Sequence, residues 1–200
     1  WTLLWSTAKE ELTHTGGATV AAIAMQPWFQ QLLAASGFEN PQNIVMLEWL
    51  VQPWLSHETN GIHIRKMTEA DLPQVVETDN AAFHPLWHNS QETIQLAFAQ
   101  ALFATVAENS HGILGYQIST GHGQRAHLAR LAVHPEAQGH GIGRTLLNDL
   151  FTKVTRNGIV RLSVNTQSDN VTSLSLYKKM GFNRTNEEYP VYTFNVPATP

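Results

Sequence analysis

The stretch Leu131-Ala132-Val133-His134-Pro135-Glu136-Ala137-Gln138-Gly139-His140-Gly141-Ile142-Gly143-Arg144 decides the fold of this chain. An apolar run reads as a strand over 126–133, which Pro135 stops. A helix over 143–156 follows at once, with Leu146, Leu147, Leu150, Phe151 and Val154 on one face and Gly158 past its end. Between them, glycines at 139, 141 and 143 let successive backbone N–H groups point into one concavity. The helix N-terminus behind the loop carries about half a positive charge. Two readings fit: a pyrophosphate cradle that needs no lysine, and a glycine-rich turn that merely tolerates tight packing. The loop is neither a dinucleotide fingerprint nor a P-loop, since neither G-x-G-x-x-G nor G-K-[ST] follows the strand.

Working outward, residues 62–66 alternate as a strand, and Thr68 caps a helix running to about Asp79. Ser90 caps a second helix near 91–102, and 81–88 between the two helices form an aromatic loop. Strands at 103–107 and 113–119 form a hairpin through the turn at 108–112. Downstream of the cradle come a short strand at 159–164, a helix over 170–180 closed by Gly181, and late strands at Phe182 and 189–196. The order β-α-α-β-β-β-α-β-α-β-β predicts an α/β (α+β) domain on a mixed central sheet flanked by helices. In the 170–180 helix, Asn170 and Tyr177 are two turns apart and share a face.

Taken as a pair, Gln138-x-x-Gly141-x-Gly143 and Asn170…Tyr177…Gly181-Phe182 resemble the GNAT superfamily of acetyl-CoA-dependent N-acetyltransferases. The resemblance covers residues 62–196. It implies acetyl-CoA as co-substrate, no metal, and strands that splay apart at the cofactor site. The pantetheine arm would pair with the backbone of Leu131, Ala132 and Val133. The pyrophosphate would lie on Gly139, His140, Gly141, Ile142, Gly143 and Arg144, with Gln138 opening the motif. Asn170 matches the position that binds the cofactor arm, and Tyr177 the tyrosine that meets the departing thiolate. In the ribosomal-protein alanine acetyltransferase branch a glutamate base stands five residues before the motif asparagine; here that residue is Asn165, which cannot accept a proton. His127, in the strand that should flank the acetyl group, is the best candidate to replace the glutamate, the alternative being an ordinary strand histidine. Phe83, Trp87 and Tyr116 are the expected wall of the acceptor pocket. The implied reaction is acetyl transfer to a primary amine by direct attack in a ternary complex. The alternatives are a non-catalytic acyl-CoA-binding module and an enzyme using a longer acyl-CoA.

The 200 residues include no cysteine, which fits a cytoplasmic protein and excludes a thiol nucleophile and a disulfide framework. No basic excess points to nucleic acid, no run of 18 apolar residues to a membrane, and no H-x-x-E-H arrangement to a metal. The resemblance implies a small-molecule or peptide amine as the acceptor partner. The net charge of −4 sits wholly in residues 1–60, with one lysine against five glutamates, while 61–200 balance at eleven each. Five of six tryptophans (Trp1, Trp5, Trp28, Trp49 and Trp54) also lie there. A helix over 6–13, a strand over 18–25, a helix at 26–33 and a strand over 43–50 repeat the α-β-α-β order of the last third, and Gly37-Phe38 matches Gly181-Phe182. Residues 1–56 thus read as a partial, degenerate second GNAT-like half, 57–61 as linker, and 62–200 as the complete domain. At the positions of Asn170 and Tyr177 the repeat carries Gln26 and Leu33, so this half is expected to be inert. A homodimer or an intrachain pseudo-dimer through residues 1–56 is the expected assembly.

Overall fold

The computed structural model describes residues 1–51 and 61–198; Trp54 and most of the expected linker, 57–60, lie outside the described residues. The elements are α1 (Thr2–His14), β1 (Ala18–Ile23), α2 (Pro27–Ala35), β2 (Glu39–Leu50), β3 (His63–Lys66), α3 (Leu72–Ala82), α4 (Gln91–Ala99), β4 (Phe103–Asn109), β5 (Gly112–His122), β6 (Arg125–Val133), α5 (Ile142–Arg156), β7 (Arg161–Gln167), α6 (Val171–Lys179) and β8 (Asn183–Val196). The strands form one mixed sheet in the order β1-β8-β2-β7-β6-β5-β4-β3, flanked by helices. β3 to β6 pair antiparallel in succession, and β6 and β7 pair parallel across the α5 crossover. The expected α/β class with a mixed sheet is therefore what the chain adopts.

The chain divides into two compact units, Trp1–Val45 with Thr166–Val171 and Asn186–Pro200, and Met46–Asn165 with Thr172–Thr185. In the first, Trp5 packs on Phe38 (centroids 4.9 Å apart) and edge-on to Phe194 (5.2 Å), around buried Leu33 and Val196. In the second, α3 and α4 cover one face of the sheet through Leu72, Val75, Ile94, Ile118 and Tyr116. On the other face, α5 buries Ile142 and Leu146. Trp49 stacks on Phe151 at 4.1 Å and is a core residue of the second unit.

Several expected boundaries move. The strand expected from 159 starts at Arg161, because Ile159 closes α5 instead. Its N–H donates to Val154 O (3.0 Å) and that of Gly158, at φ 69°, to Thr155 O (3.2 Å), which is a Schellman cap with the apolar residue buried. The late strands are one strand, β8. Pro190 stands inside it and offers no N–H to the neighbouring β1 side; its carbonyl accepts Ala24 N–H (3.0 Å), and Gln30 Nε2 donates to the Ala24 carbonyl at 3.0 Å. β2 starts at Glu39, four residues before the expected 43.

Candidate active site

α5 is entered through Gly141, a left-handed N-cap at φ 80°, and Gly139 has the same φ. A side chain there would be strained, although a Cβ at either residue would meet only open space. The first N–H in the helical ladder is that of Thr145, which donates to Gly141 O (3.0 Å). The N–H groups of Gly139, His140, Gly141, Ile142, Gly143 and Arg144 donate to no carbonyl among the described residues. Gly143 has a different reason: a Cβ there would sit 3.1 Å from Leu176 Cδ2, so its absence lets the first turn of α5 approach α6. Gln138 donates through Nε2 to Val133 O (3.1 Å), and His140 Nδ1 to Gln138 O (2.9 Å). These two side chains hold the loop against the end of β6. The Arg144 guanidinium is exposed.

β6 and β7 pair from Arg125↔Arg161 to Leu128↔Val164, whereas β6 runs on to Val133. The backbone edge from Ala129 to Val133 is thus open on the β7 side. Leu131 and Val133 turn their side chains to the α5 core and Ala132 turns to Tyr116, so backbone is what this edge presents. Opposite, the β5–β6 register slips between Ile118 and Ser119, which face Arg130 and Leu128 and leave Ala129 as a bulge. Ile118 and Thr120 share a face of β5, and their partners are Arg130 and His127. The bulge therefore brings two residues three apart in sequence to the same face.

His127 Nδ1 lies 2.9 Å from Ser163 Oγ and Nε2 lies 3.1 Å from Asn165 Oδ1. Burial lowers the His127 pKa below its ordinary 6.5, and the hydrogen bond to Asn165 opposes that shift. The expected base is thus neutral near pH 7, and the residue in the glutamate's place is its hydrogen-bond partner.

Tyr177 ends α6 in a second Schellman cap. Phe182 N–H donates to Tyr177 O (3.0 Å), Gly181 N–H to Lys178 O (3.1 Å) at φ 87°, and the Tyr177 and Phe182 rings meet at 5.4 Å. The Gly-Phe pair therefore fixes the tyrosine. Its ring is buried, and burial raises the phenol pKa. The hydroxyl is therefore a protonated donor at neutral pH. Gly37-Phe38 builds the same cap on α2, from Phe38 N–H to Leu33 O (3.1 Å) at φ 84°, with Leu33 in the tyrosine's place. Asn170 stands on the turn before α6, its N–H on Gln167 O (3.1 Å).

The acceptor-side loop needs a correction. Tyr116 is wholly buried and its hydroxyl donates to Asp79, so it lines no open wall. Burial, then the Asp79 charge, raise its pKa. Asp79 is itself 0% exposed and takes Arg130 in a fork, Nε to Oδ1 at 2.7 Å and Nη2 to Oδ2 at 2.8 Å. Arg130 also donates to Trp87 O (2.7 Å) and lies over the Phe83 ring at 3.5 Å, while Asn89 N–H donates to Asp79 (3.3 Å). Phe83 and Trp87 are half-buried and held by this cluster. Asp79, Arg130 and Ser163 carry no motif, and only the fold brings them to their partners. Among the described residues no three His, Asp or Glu side chains gather as a metal site, and no helix is long and apolar enough to cross a membrane.

Residues 66–182 match the family model described as Acetyltransferase (GNAT) family. The fold is similar to that of a GCN5-related N-acetyltransferase from Sphaerobacter thermophilus (TM-score 0.77, 16% identity, 100% of this chain and 67% of that one). It is also similar to a tandem GNAT protein from the clavulanic acid biosynthesis pathway (TM-score 0.63, 15% identity, 100% and 70%). A third is the PaiA N-acetyltransferase from Thermoplasma acidophilum, solved with coenzyme A (TM-score 0.58, 19% identity, 66% and 97%).

Proposed function

The chain belongs to the acetyltransferase (GNAT) family, and we propose that it transfers an acetyl group from acetyl-CoA to a primary amine. One observation carries this reading: six successive backbone N–H groups without a carbonyl partner, at a left-handed glycine entry to a helix, beside an open strand edge. Such an array suits a pyrophosphate and, running on from it, an amide-rich pantetheine arm. The 139–144 backbone would hold the pyrophosphate with Arg144 beside it. The β6 edge at 131–133 would pair with the arm, Asn170 would bind it, and Gln138 positions the loop.

Acetyl-CoA, when bound, supplies a thioester that the amine attacks directly. Backbone N–H groups along the open edge of β6 polarise the carbonyl. Tyr177 donates a hydrogen bond to the developing thiolate; with its pKa raised further above a thiol's value of about 8.5, hydrogen bonding and not full proton transfer is its role. His127 is the general base of the step. At pH 7 only about one in 10³ of lysine-like amines is unprotonated, whereas a peptide α-amine near 7.7–8.0 needs far less help. A base weakened by burial therefore fits a low-pKa amine better than lysine. Phe83 and Trp87 are proposed as the acceptor wall.

Residues 1–56 are proposed as an inert, degenerate half of a second unit, supported by the shared cap at Gly37-Phe38 and Gly181-Phe182. The absence of cysteine fits a cytoplasmic setting. Acetyl transfer measured against a small alkylamine, a peptide N-terminus, a lysine peptide and an aminoglycoside tests the reading, with acetyl-CoA binding measured alongside. Turnover of one class is expected. The neutral Asn165 favours one rival, a non-catalytic acyl-CoA-binding module, and tight binding with no transfer to any class would establish it. Transfer only from longer acyl-CoA would establish the other.

A further inference from the structure

His127 is bonded at both ring nitrogens to residues of β7, and the chemistry of those partners fixes its protonation. Asn165 presents its carbonyl oxygen, Oδ1, which can only accept, so Nε2 must carry the hydrogen. In the neutral ring Nδ1 then holds the lone pair. The Ser163 hydroxyl has two acceptors within reach, His127 Nδ1 at 2.9 Å and Ala126 O at 3.4 Å, and the shorter contact is to the ring. Ser163 faces His127 directly in the parallel register, one pair before the strands part at Leu128 and Val164. On β7, Ser163 and Asn165 alternate with buried Leu162 and Val164, so both lie on one face.

We infer that Ser163, His127 and Asn165 form a proton relay in which the acceptor amine is deprotonated through the Ser163 hydroxyl and not by the imidazole directly. The inference rests on His127 being the base proposed above. As the nitrogen–carbon bond forms and the carbon–sulfur bond breaks, the amine proton passes to Ser163 Oγ while the serine proton passes to His127 Nδ1. The imidazolium keeps its Nε2–H on Asn165 Oδ1 and returns the extra proton to solvent after product leaves. Asn165 is thus a positioning residue that locks the tautomer. A glutamate there would be a base itself; the asparagine instead leaves Nδ1 as the basic atom.

Besides His127 and Tyr116, the ionisable side chains on these strands are His122 on β5, Arg125 and Arg130 on β6 and Arg161 on β7, and Arg130 joins Asp79 of α3. Arg130 is paired with Asp79 and Arg161 with Glu48, and Arg125 makes no ion pair among the described residues.

The first measurement needs no acceptor: long-range ¹H–¹⁵N NMR of His127 in the whole protein. The expected result is the Nε2–H tautomer, shifting to a mixture in Asn165→Leu; an Nδ1–H tautomer in the wild type overturns the relay. The second is kcat/KM against pH with acetyl-CoA and the fastest amine of the panel. Ser163→Ala is expected to lose about 10²-fold, with KM for acetyl-CoA unchanged, and Ser163→Thr to stay within several-fold of wild type. Asn165→Asp is expected to move the acid limb to higher pH, because a carboxylate favours the imidazolium. If His127→Ala loses turnover while Ser163→Ala keeps it, the relay is wrong and the base reading stands. If His127→Ala keeps turnover, both are wrong.

Discussion

Replacing Arg130 with methionine isolates the most heavily determined polar cluster of the second unit. The substitution keeps an unbranched stem over Phe83 but removes the fork on Asp79 and the bond to Trp87 O, with contacts at 2.7, 2.8 and 2.7 Å. Asp79 is fully buried and Arg130 is 18% exposed, so the carboxylate would remain in the core without its countercharge. Removing one partner of a buried pair costs about 3–5 kcal/mol. Asp79 keeps the Tyr116 hydroxyl and Asn89 N–H, which places the expected loss near the lower end, about 3 kcal/mol. That is a fifth or more of the roughly 5–15 kcal/mol that holds a domain folded. Asp79→Asn should cost less, because the cation it strands reaches water. The double variant should cost less than the two singles together, by about 1–2 kcal/mol, since the residues share one network. Urea unfolding of the four proteins gives the cycle. A loss under about 1 kcal/mol for Arg130→Met, or strict additivity, would refute the view that this pair is a buried determinant of stability. In the proposed reaction the same variant should raise KM for the amine and leave acetyl-CoA affinity unchanged, because the freed carbonyl is that of Trp87.

Three further outcomes are expected. Tyr177→Phe should lower kcat by about 10²-fold with little change in acetyl-CoA binding, since the hydroxyl acts only on charge that develops in the transition state; unchanged kcat would exclude the role. Gly141→Ala should cost about 1–2 kcal/mol from its φ of 80° and weaken CoA binding, read by calorimetry; a neutral effect on both would mean that the loop does not need this conformation. Arg65 holds the Asp71 carboxyl at about 2 against its ordinary 3.8, foremost by hydrogen bonding, so this pair stabilises the fold above pH about 4 and the contribution is lost as pH falls towards 2; in Arg65→Met the acid-unfolding midpoint, followed by circular dichroism, should rise.

What was legible in the sequence was local. The cradle joins a strand end to a helix start within a dozen residues, and glycine is needed at 139 and 141 because of the backbone angle itself. The caps at Gly181-Phe182 and Gly37-Phe38 close five-residue hydrogen bonds, so the repeat and the place of Tyr177 can be read from neighbours in the chain. Where local signals competed, the reading slipped: Ile159 looked like strand but was buried by a helix cap, and the late strands read at Phe182 and 189–196 are the one strand β8.

What the sequence by itself determined was the family, the mixed-sheet class and the shape of the glycine loop, because dihedral preference and apolar period act within a turn or two. Only the tertiary structure decided that Tyr116 is buried against Asp79, that Arg130 reaches back 51 residues to that acid, and that His127 meets Ser163 and Asn165. Those meetings depend on strand register and on one bulged residue, Ala129, and a shift of one residue in either would turn each side chain to the opposite face.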